Sequence, residues 1–215
     1  MECIWKRYVK HMGYSGGSAR LKLMNDGVSI LTKFTLIAAT AIALIVAPAW
    51  ATDECDVLCD PEFYATAAPK GVQELIDAGA DVNARDADGK SPLHWVAKAS
   101  PETIMTLLEA GGDVNARDYL DRTPLHFVSA TSTPENVALL LGAGAEVNAR
   151  TANDWTPLHG VAKFGIPENI MILLDAGADA TARTEMGETP LEFAAINVKI
   201  KDSEAYVVLR AAKEQ

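Results

Sequence analysis

Four segments, SPLH at 91–94, TPLH at 123–126, TPLH at 156–159 and TPLE at 189–192, recur at spacings of 32, 33 and 33 residues. The segments VNARD at 82, VNARD at 114, VNART at 147 and ATART at 180 keep the same spacings. Around them lie APKGVQELIDAGAD, SPETIMTLLEAGGD, TPENVALLLGAGAE and IPENIMILLDAGAD, so one supersecondary unit is used repeatedly. A unit this short cannot bury its own apolar face, and it becomes stable by stacking on its neighbours. The one residue missing from the first spacing is expected to fall in the turn near Ala99.

Each part of the unit has a physical task. Ser91, Thr123, Thr156 and Thr189 stand where a side-chain oxygen caps a helix, and Pro92, Pro124, Pro157 and Pro190 take the first helical position, where no backbone donor is needed. Leu93, Leu125, Leu158 and Leu191 are expected to point inward, with Ala97, Ser129, Ala162 and Ala195 letting helices approach closely. A second helix is predicted from Pro101, Pro134 and Pro167, with Ser100 and Thr133 as caps and Glu102, Glu135 and Glu168 near its positive end. Gly79, Gly111, Gly144 and Gly177 are suited to the left-handed conformation that ends it.

The stretch DADGKSPLH at 86–94, each TPLH, and the near-complete LLxAGADVNA pattern resemble the ankyrin-repeat family over about residues 60–215. The resemblance implies an all-α repeat solenoid with a β-turn and two antiparallel helices per unit. It divides the chain into a half unit at 61–81, repeats at 82–113, 114–146 and 147–179, and a terminal unit at 180–215 in which Glu192 replaces the histidine. Asp121 and Asp154 stand where the family has a turn glycine, and aspartate tolerates the left-handed backbone better than most residues. In the family the recurring imidazole bonds backbone and the capping hydroxyl. His94, His126 and His159, with Thr123, Pro124, Leu125, Thr156, Pro157 and Leu158, are therefore assigned to the scaffold. A catalytic triad needs one histidine, one nucleophile and one acid in one place, whereas these histidines are spaced along an axis. Asn115 and Asn148 are expected to tie adjacent turns, and Arg85, Arg117, Arg150 and Arg183 to form either a salt-bridge ladder or a basic stripe.

The amino-terminal 51 residues read differently. A basic segment precedes the uncharged FTLIAATAIALIVAPAWA at 34–51, which ends in the small-any-small pattern of a secretory cleavage site after Ala51. Export to a bacterial periplasm or beyond is expected, with an uncleaved membrane anchor over 34–51 as the alternative. The whole chain carries 19 Lys+Arg against 29 Asp+Glu. Without residues 1–51 the balance is 13 against 27, a net of −14. Such a chain repels nucleic acid and anionic lipid, so a protein partner of neutral or basic character is expected, met by a monomer. Cys55 and Cys59 form an even pair beyond the cleavage site, in the segment 52–60, and read as a disulfide clip.

No phosphate-binding loop, HExxH, GxSxG or calcium loop occurs, so neither a cofactor nor a metal is expected, and a non-enzymatic binding module is the favoured reading. Its contact residues are sought at the turn tips, at Tyr119, Leu120, Arg122, Trp155 and Met186, and after the first helices, at Lys98, Lys163 and Phe164. Trp155 and Leu120 are equally able to fold onto their neighbouring turns. An inhibitor of an exported enzyme and a redox or metal role for Cys55 and Cys59 are the two other readings.

Overall fold

The computed structural model describes residues 57–213 of the chain, so the expected leader and Cys55 lie outside the described residues. A short helix α1 (Pro61–Tyr64) and helix α2 (Pro69–Asp77) make the half unit. The first repeat holds two 3-10 turns, Pro92–His94 and Val96–Lys98, followed by α3 (Pro101–Glu109). The next two repeats are α4 (Pro124–Thr131) with α5 (Pro134–Gly142), and α6 (Pro157–Phe164) with α7 (Pro167–Asp175). The terminal unit consists of α8 (Pro190–Ile196) and α9 (Glu204–Lys213), and no strand occurs among the described residues. First helices stack on first helices and second helices on second helices, and the first-helix layer is the more tightly packed of the two. Closer spacing on one side bends such a stack toward that side, so the first helices line its inner face.

The core is one continuous apolar seam between the two layers. Leu93, Leu125 and Leu158 are fully buried in the first helices, and Ile104, Val137 and Ile170 face them from the second. In the pairs Leu107-Leu108, Leu140-Leu141 and Leu173-Leu174, the first member is fully buried and the second half-buried against the seam. The terminal unit departs from the expected pattern: Leu191 is only half-buried and Ala195 is exposed, while Phe193 and Ala194 turn to the core. The helix keeps its register, since Ala194 takes the buried place of Val96, Val128 and Val161, and Phe193 is covered by the Trp155 ring.

The missing residue has a different effect from the one expected. Pro92–Lys98 is seven residues long where α4 and α6 have eight, and its chain closes i to i+3 bonds, from Trp95 N–H to the Pro92 carbonyl (3.0 Å) and from Ala99 N–H to the Val96 carbonyl (2.9 Å). A 3-10 helix rises further per residue than an α-helix, so the first helix absorbs the deletion and the following turn keeps its place.

The two expected caps of the second helices form, and the third such helix has none. The Ser100 and Thr133 hydroxyls accept the amides of Thr103 (3.3 Å) and Asn136 (3.5 Å), whereas Ile166 supplies no side-chain cap to α7. Gly79, Gly111, Gly144 and Gly177 all have φ between 88° and 94°, as helix-ending glycines should. Asp121 and Asp154 sit at φ 58° and 60°, holding the glycine conformation with a side chain attached.

Three side-chain ladders run toward the carboxyl end of the stack. Nδ1 of His94, His126 and His159 accepts the amide N–H of Ser91 (3.0 Å), Thr123 (3.0 Å) and Thr156 (3.1 Å). An amide can only donate, so the proton of each neutral ring sits on Nε2, which donates to the carbonyls of Arg122 (3.0 Å), Trp155 (3.2 Å) and Glu188 (3.2 Å) in the next unit. Asn83, Asn115 and Asn148 donate to the carbonyls of Gly111, Gly144 and Gly177 at 2.9–3.0 Å, and accept the amides of Asp113, Glu146 and Asp179, each at 2.8 Å. The arginines pair only in part as expected, Arg117 with Glu146 (3.2 Å) and Arg150 with Asp154 (3.3 Å), and their shared task is a different one: Arg85, Arg117 and Arg150 donate to the backbone carbonyls of Arg117 (2.8 Å), Arg150 (3.0 Å) and Arg183 (3.2 Å). A buried or crowded carbonyl needs a donor, and a planar guanidinium reaches it across the gap between turns.

A fourth ladder runs the other way. Thr103, Asn136, Asn169 and Asn197 donate backward, to the carbonyls of Ala67 (3.4 Å), Ala99 (3.0 Å), Ser129 and Ser132 (both 2.9 Å), and Ala162 (3.1 Å). These carbonyls belong to the ends of first helices and the loops that follow them, where no intrahelical donor is available.

Candidate functional site

Each turn is closed by its first residue. The amide of Asp86 donates to the Lys90 carbonyl (3.0 Å), and the pattern recurs from Asp118 to Arg122 (3.0 Å), Thr151 to Trp155 (2.9 Å) and Thr184 to Glu188 (3.0 Å). The Asp118 carboxylate, almost wholly buried, accepts the amides of Leu120 and Arg122 (both 2.9 Å) and Nε of Arg122 (2.7 Å). Burial pushes its pKa up, but these donors together outweigh burial and hold it below the usual carboxylate range. One backbone bond links each tip to the next, from Tyr119 N–H to Asp88 (3.1 Å), Ala152 to Leu120 (3.0 Å) and Glu185 to Asn153 (3.1 Å). The tips therefore form a row of fixed spacing.

On that row Tyr119, Leu120 and Met186 are 76%, 54% and 87% exposed. The Tyr119 ring lies over Gly89, whose φ of 76° and lack of a Cβ allow the contact: a Cβ there would stand 2.7 Å from the ring. Leu120 stays out in solvent. Trp155 takes the other course, folding down so that its ring is half-buried with its centre 4.7 Å from that of Phe193. Arg122 is likewise tied in, ion-paired to Asp118 and lying 4.8 Å from the centre of Phe127.

The inner face carries a line of aromatic rings. Trp95, Phe127 and Phe193 occupy the position after the histidine in three units, and Gly160 takes it in the fourth. Trp95 donates through Nε1 to Asp86 (3.0 Å), and the Lys90 ammonium, in a side chain 9% exposed, lies 4.2 Å from the Trp95 ring while paired to Asp88 (3.0 Å). In the Gly160 unit Lys163 lies among three rings. Its ammonium stands 5.1 Å from the Trp155 ring, 5.2 Å from Phe164 and 5.3 Å from Phe193. Phe164 is 60% exposed beside a cleft of about 280 Å³ that it shares with Lys199 and Asn169. Lys98, exposed, lines a second cleft of about 500 Å³ with Tyr64 and Glu135.

Thus three of the expected contact residues, Trp155, Lys163 and Phe164, meet in one place, and Tyr119, Leu120 and Met186 lie on one row. Lys98 stands apart at the amino-terminal end of the inner face. Phe193 completes the first group and escaped notice in the sequence, although its place after TPLE matches Trp95 and Phe127 after their SPLH and TPLH segments.

The three repeat histidines are held toward their neutral form. Burial is the main cause that lowers the pKa of all three, to about 4 for His126. Among the described residues no group of three or more His, Cys, Asp or Glu is placed to hold a metal ion. No described helix is long and apolar enough to cross a membrane.

A family model described as ankyrin repeats in three copies matches residues 63–151 and again 130–209. Among curated proteins none matches the chain.

Proposed function

The chain belongs to the ankyrin-repeat family, whose members are generally protein-binding scaffolds, and from that premise we propose that it is a non-enzymatic binding module acting outside the cytoplasm. The observation that carries this reading is the division of labour among its side chains. The recurring histidines and asparagines bond from unit to unit and the capping hydroxyls bond within their own, whereas Tyr119, Leu120, Met186 and Phe164 are large, apolar, exposed and without any such task. Exposed aromatic and aliphatic anchors on a rigid row are the residue types that dominate protein interfaces. Trp155 supports the surface from below and leaves direct contact to its neighbours.

Action in the periplasm or after secretion rests on the leader-like segment 34–51. The expected clip between Cys55 and Cys59 belongs to the same reading, which the buried Cys59, its sulfur 3.6 Å from the Lys90 carbonyl, supports. A bridge closing so small a loop stabilises by about 2 kcal/mol through the unfolded chain, so reduction should lower the melting temperature without abolishing the fold.

The test of function is capture from the native exported fraction by the wild-type chain and by a Tyr119→Ala, Leu120→Ala, Met186→Ala variant of equal melting temperature. One protein held by the wild type and lost by the variant is the expected result. Equal retention by both would remove the tips from the interface.

A further inference from the structure

Glycine is the fourth residue of two tip turns and aspartate of the other two. Gly89, Asp121, Asp154 and Gly187 all have φ between 58° and 82°, and each donates its amide to the first residue of its own turn at 2.8–3.0 Å. The backbone therefore does not demand glycine at this place, since Asp121 and Asp154 close the same turn with a side chain attached.

The difference lies in what the following unit brings to the tip. The second residue of each following turn, Tyr119, Ala152 or Glu185, donates its amide back to the tip before it. Ala152 and Glu185 follow the aspartate tips and have no ring, whereas Tyr119 follows Gly89. A Cβ at position 89 would stand 2.7 Å from both Cδ1 and Cε1 of Tyr119 and 3.1 Å from its Cγ. At Gly187, which no tip follows among the described residues, a Cβ would meet nothing within 4 Å. Gly89 is buried while Asp121 and Asp154 are exposed. Glycine thus clears space at the one tip that must carry a ring.

We propose that Gly89 is a positioning residue for partner binding: its bare backbone is the seat that holds the exposed Tyr119 ring in its binding orientation before a partner arrives. A side chain 76% exposed would ordinarily exchange among rotamers in solvent. Here the Tyr119 amide is bonded to the Asp88 carbonyl (3.1 Å), and the Cδ1 and Cε1 side of the ring lies on Gly89, so backbone and ring are both fixed on the neighbouring tip. An anchor already ordered in the free protein loses less conformational entropy on binding, and its ring keeps one direction relative to Leu120. The inference rests on the reading of the tips as a binding surface and adds to it a buried residue that acts only through another.

The test uses Gly89→Ala, Gly187→Ala, and Gly89→Ala in a Tyr119→Ala background. In NMR spectra of the full chain, the Tyr119 ring protons should show NOEs to the Gly89 α-protons, and Gly187→Ala should leave them intact. Binding is read with twelve-residue peptides, selected on the full chain from a random library, whose affinity Tyr119→Ala weakens. Gly89→Ala should weaken these peptides about threefold to tenfold, the effect of having to order one side chain, and should change nothing further once Tyr119 is Ala. Gly187→Ala carries the same left-handed backbone cost without a displaced ring, so the two single variants should lose similar thermal stability. Absent NOEs would overturn the seat. Peptides that need Tyr119 yet bind Gly89→Ala as tightly as wild type, or an equal loss in the Tyr119→Ala background, would overturn the positioning role and leave the tips as the interface. If Tyr119→Ala weakens no selected peptide, the tip reading itself fails, and the anchor with it.

Discussion

At the scale of single residues, the chain shows two kinds of strain on a repeated plan. Asp121 and Asp154 hold a left-handed backbone that glycine takes freely at Gly89 and Gly187. Asp121→Gly should therefore stabilise the fold by a few tenths to about 1 kcal/mol, visible as a higher urea midpoint, since the αL cost of a side chain exceeds the entropy glycine adds to the unfolded chain. Asp154→Gly should gain less, because it forfeits the pair with Arg150 at 3.3 Å. The histidines store a different liability. His126 has a folded-state pKa of about 4, lowered chiefly by burial, against about 6.5 when unfolded. Above pH 6.5 both states leave it neutral and its hydrogen bonds contribute in full. As pH falls from 6.5 toward 4 the unfolded chain binds the proton first, so stability declines by up to about 1.4 kcal/mol per pH unit for this group and levels off below its folded pKa. Urea midpoints at pH 7.5, 5.5 and 4.5 should fall in that order, and His126→Gln should flatten the decline while lowering stability at pH 7.5.

At the scale of elements, Gly144 ends α5 at φ 92° with open space around it, so Gly144→Val should destabilise through its backbone alone, by about 1–2 kcal/mol. An unchanged thermal midpoint would contradict the helix end. The elements themselves were legible in the sequence: proline at the first position, a hydroxyl before it and glycine after the helix are local signals with local causes. The paired 3-10 turns at Pro92–His94 and Val96–Lys98 were not, because a one-residue deletion has no signature that says which of two neighbouring segments yields. Inserting one alanine after Ala97 should restore an α-helical first element and raise the ellipticity at 222 nm. Bonds spanning 28 to 40 residues were legible only where the repeat itself displayed them. Asn115 and Asn148 stood out within VNAR, whereas Asn136 and Asn169 sat inside apolar helices as PEN and showed no partner until the neighbouring unit was in place. The same limit governs the candidate site. Tyr119 and Met186 are exposed as their tip positions suggest, but the choice of Trp155 to lie on Phe193 depends on a ring 38 residues away that local composition does not reveal.

At the scale of the whole molecule, the stack closes differently at its two ends. The half unit packs Leu58 and Tyr64 into the seam, with the Tyr64 hydroxyl donating to the Leu58 carbonyl at 2.8 Å. The last unit replaces histidine by Glu192, which can accept from its own helix start but cannot donate onward, and replaces asparagine by Thr181. Deleting residues 180–215 would leave the apolar face of α6 and α7 open, and it should cost far more stability than any single substitution above, read as loss of one cooperative unfolding transition. The contrast between middle and last units carries a consequence for how such a chain lengthens. Histidine, asparagine and arginine give forward, and the buried amides of Asn136 and Asn169 give back, so a middle unit has a plug on one face and the matching socket on the other. A tandem copy of 114–146 would find every plug seated, and the chain could grow by whole repeats from its interior. The unit at 180–215 keeps only the arginine, Arg183, of the three forward plugs, and copied inward it would leave two of the three ladders broken at the point of insertion.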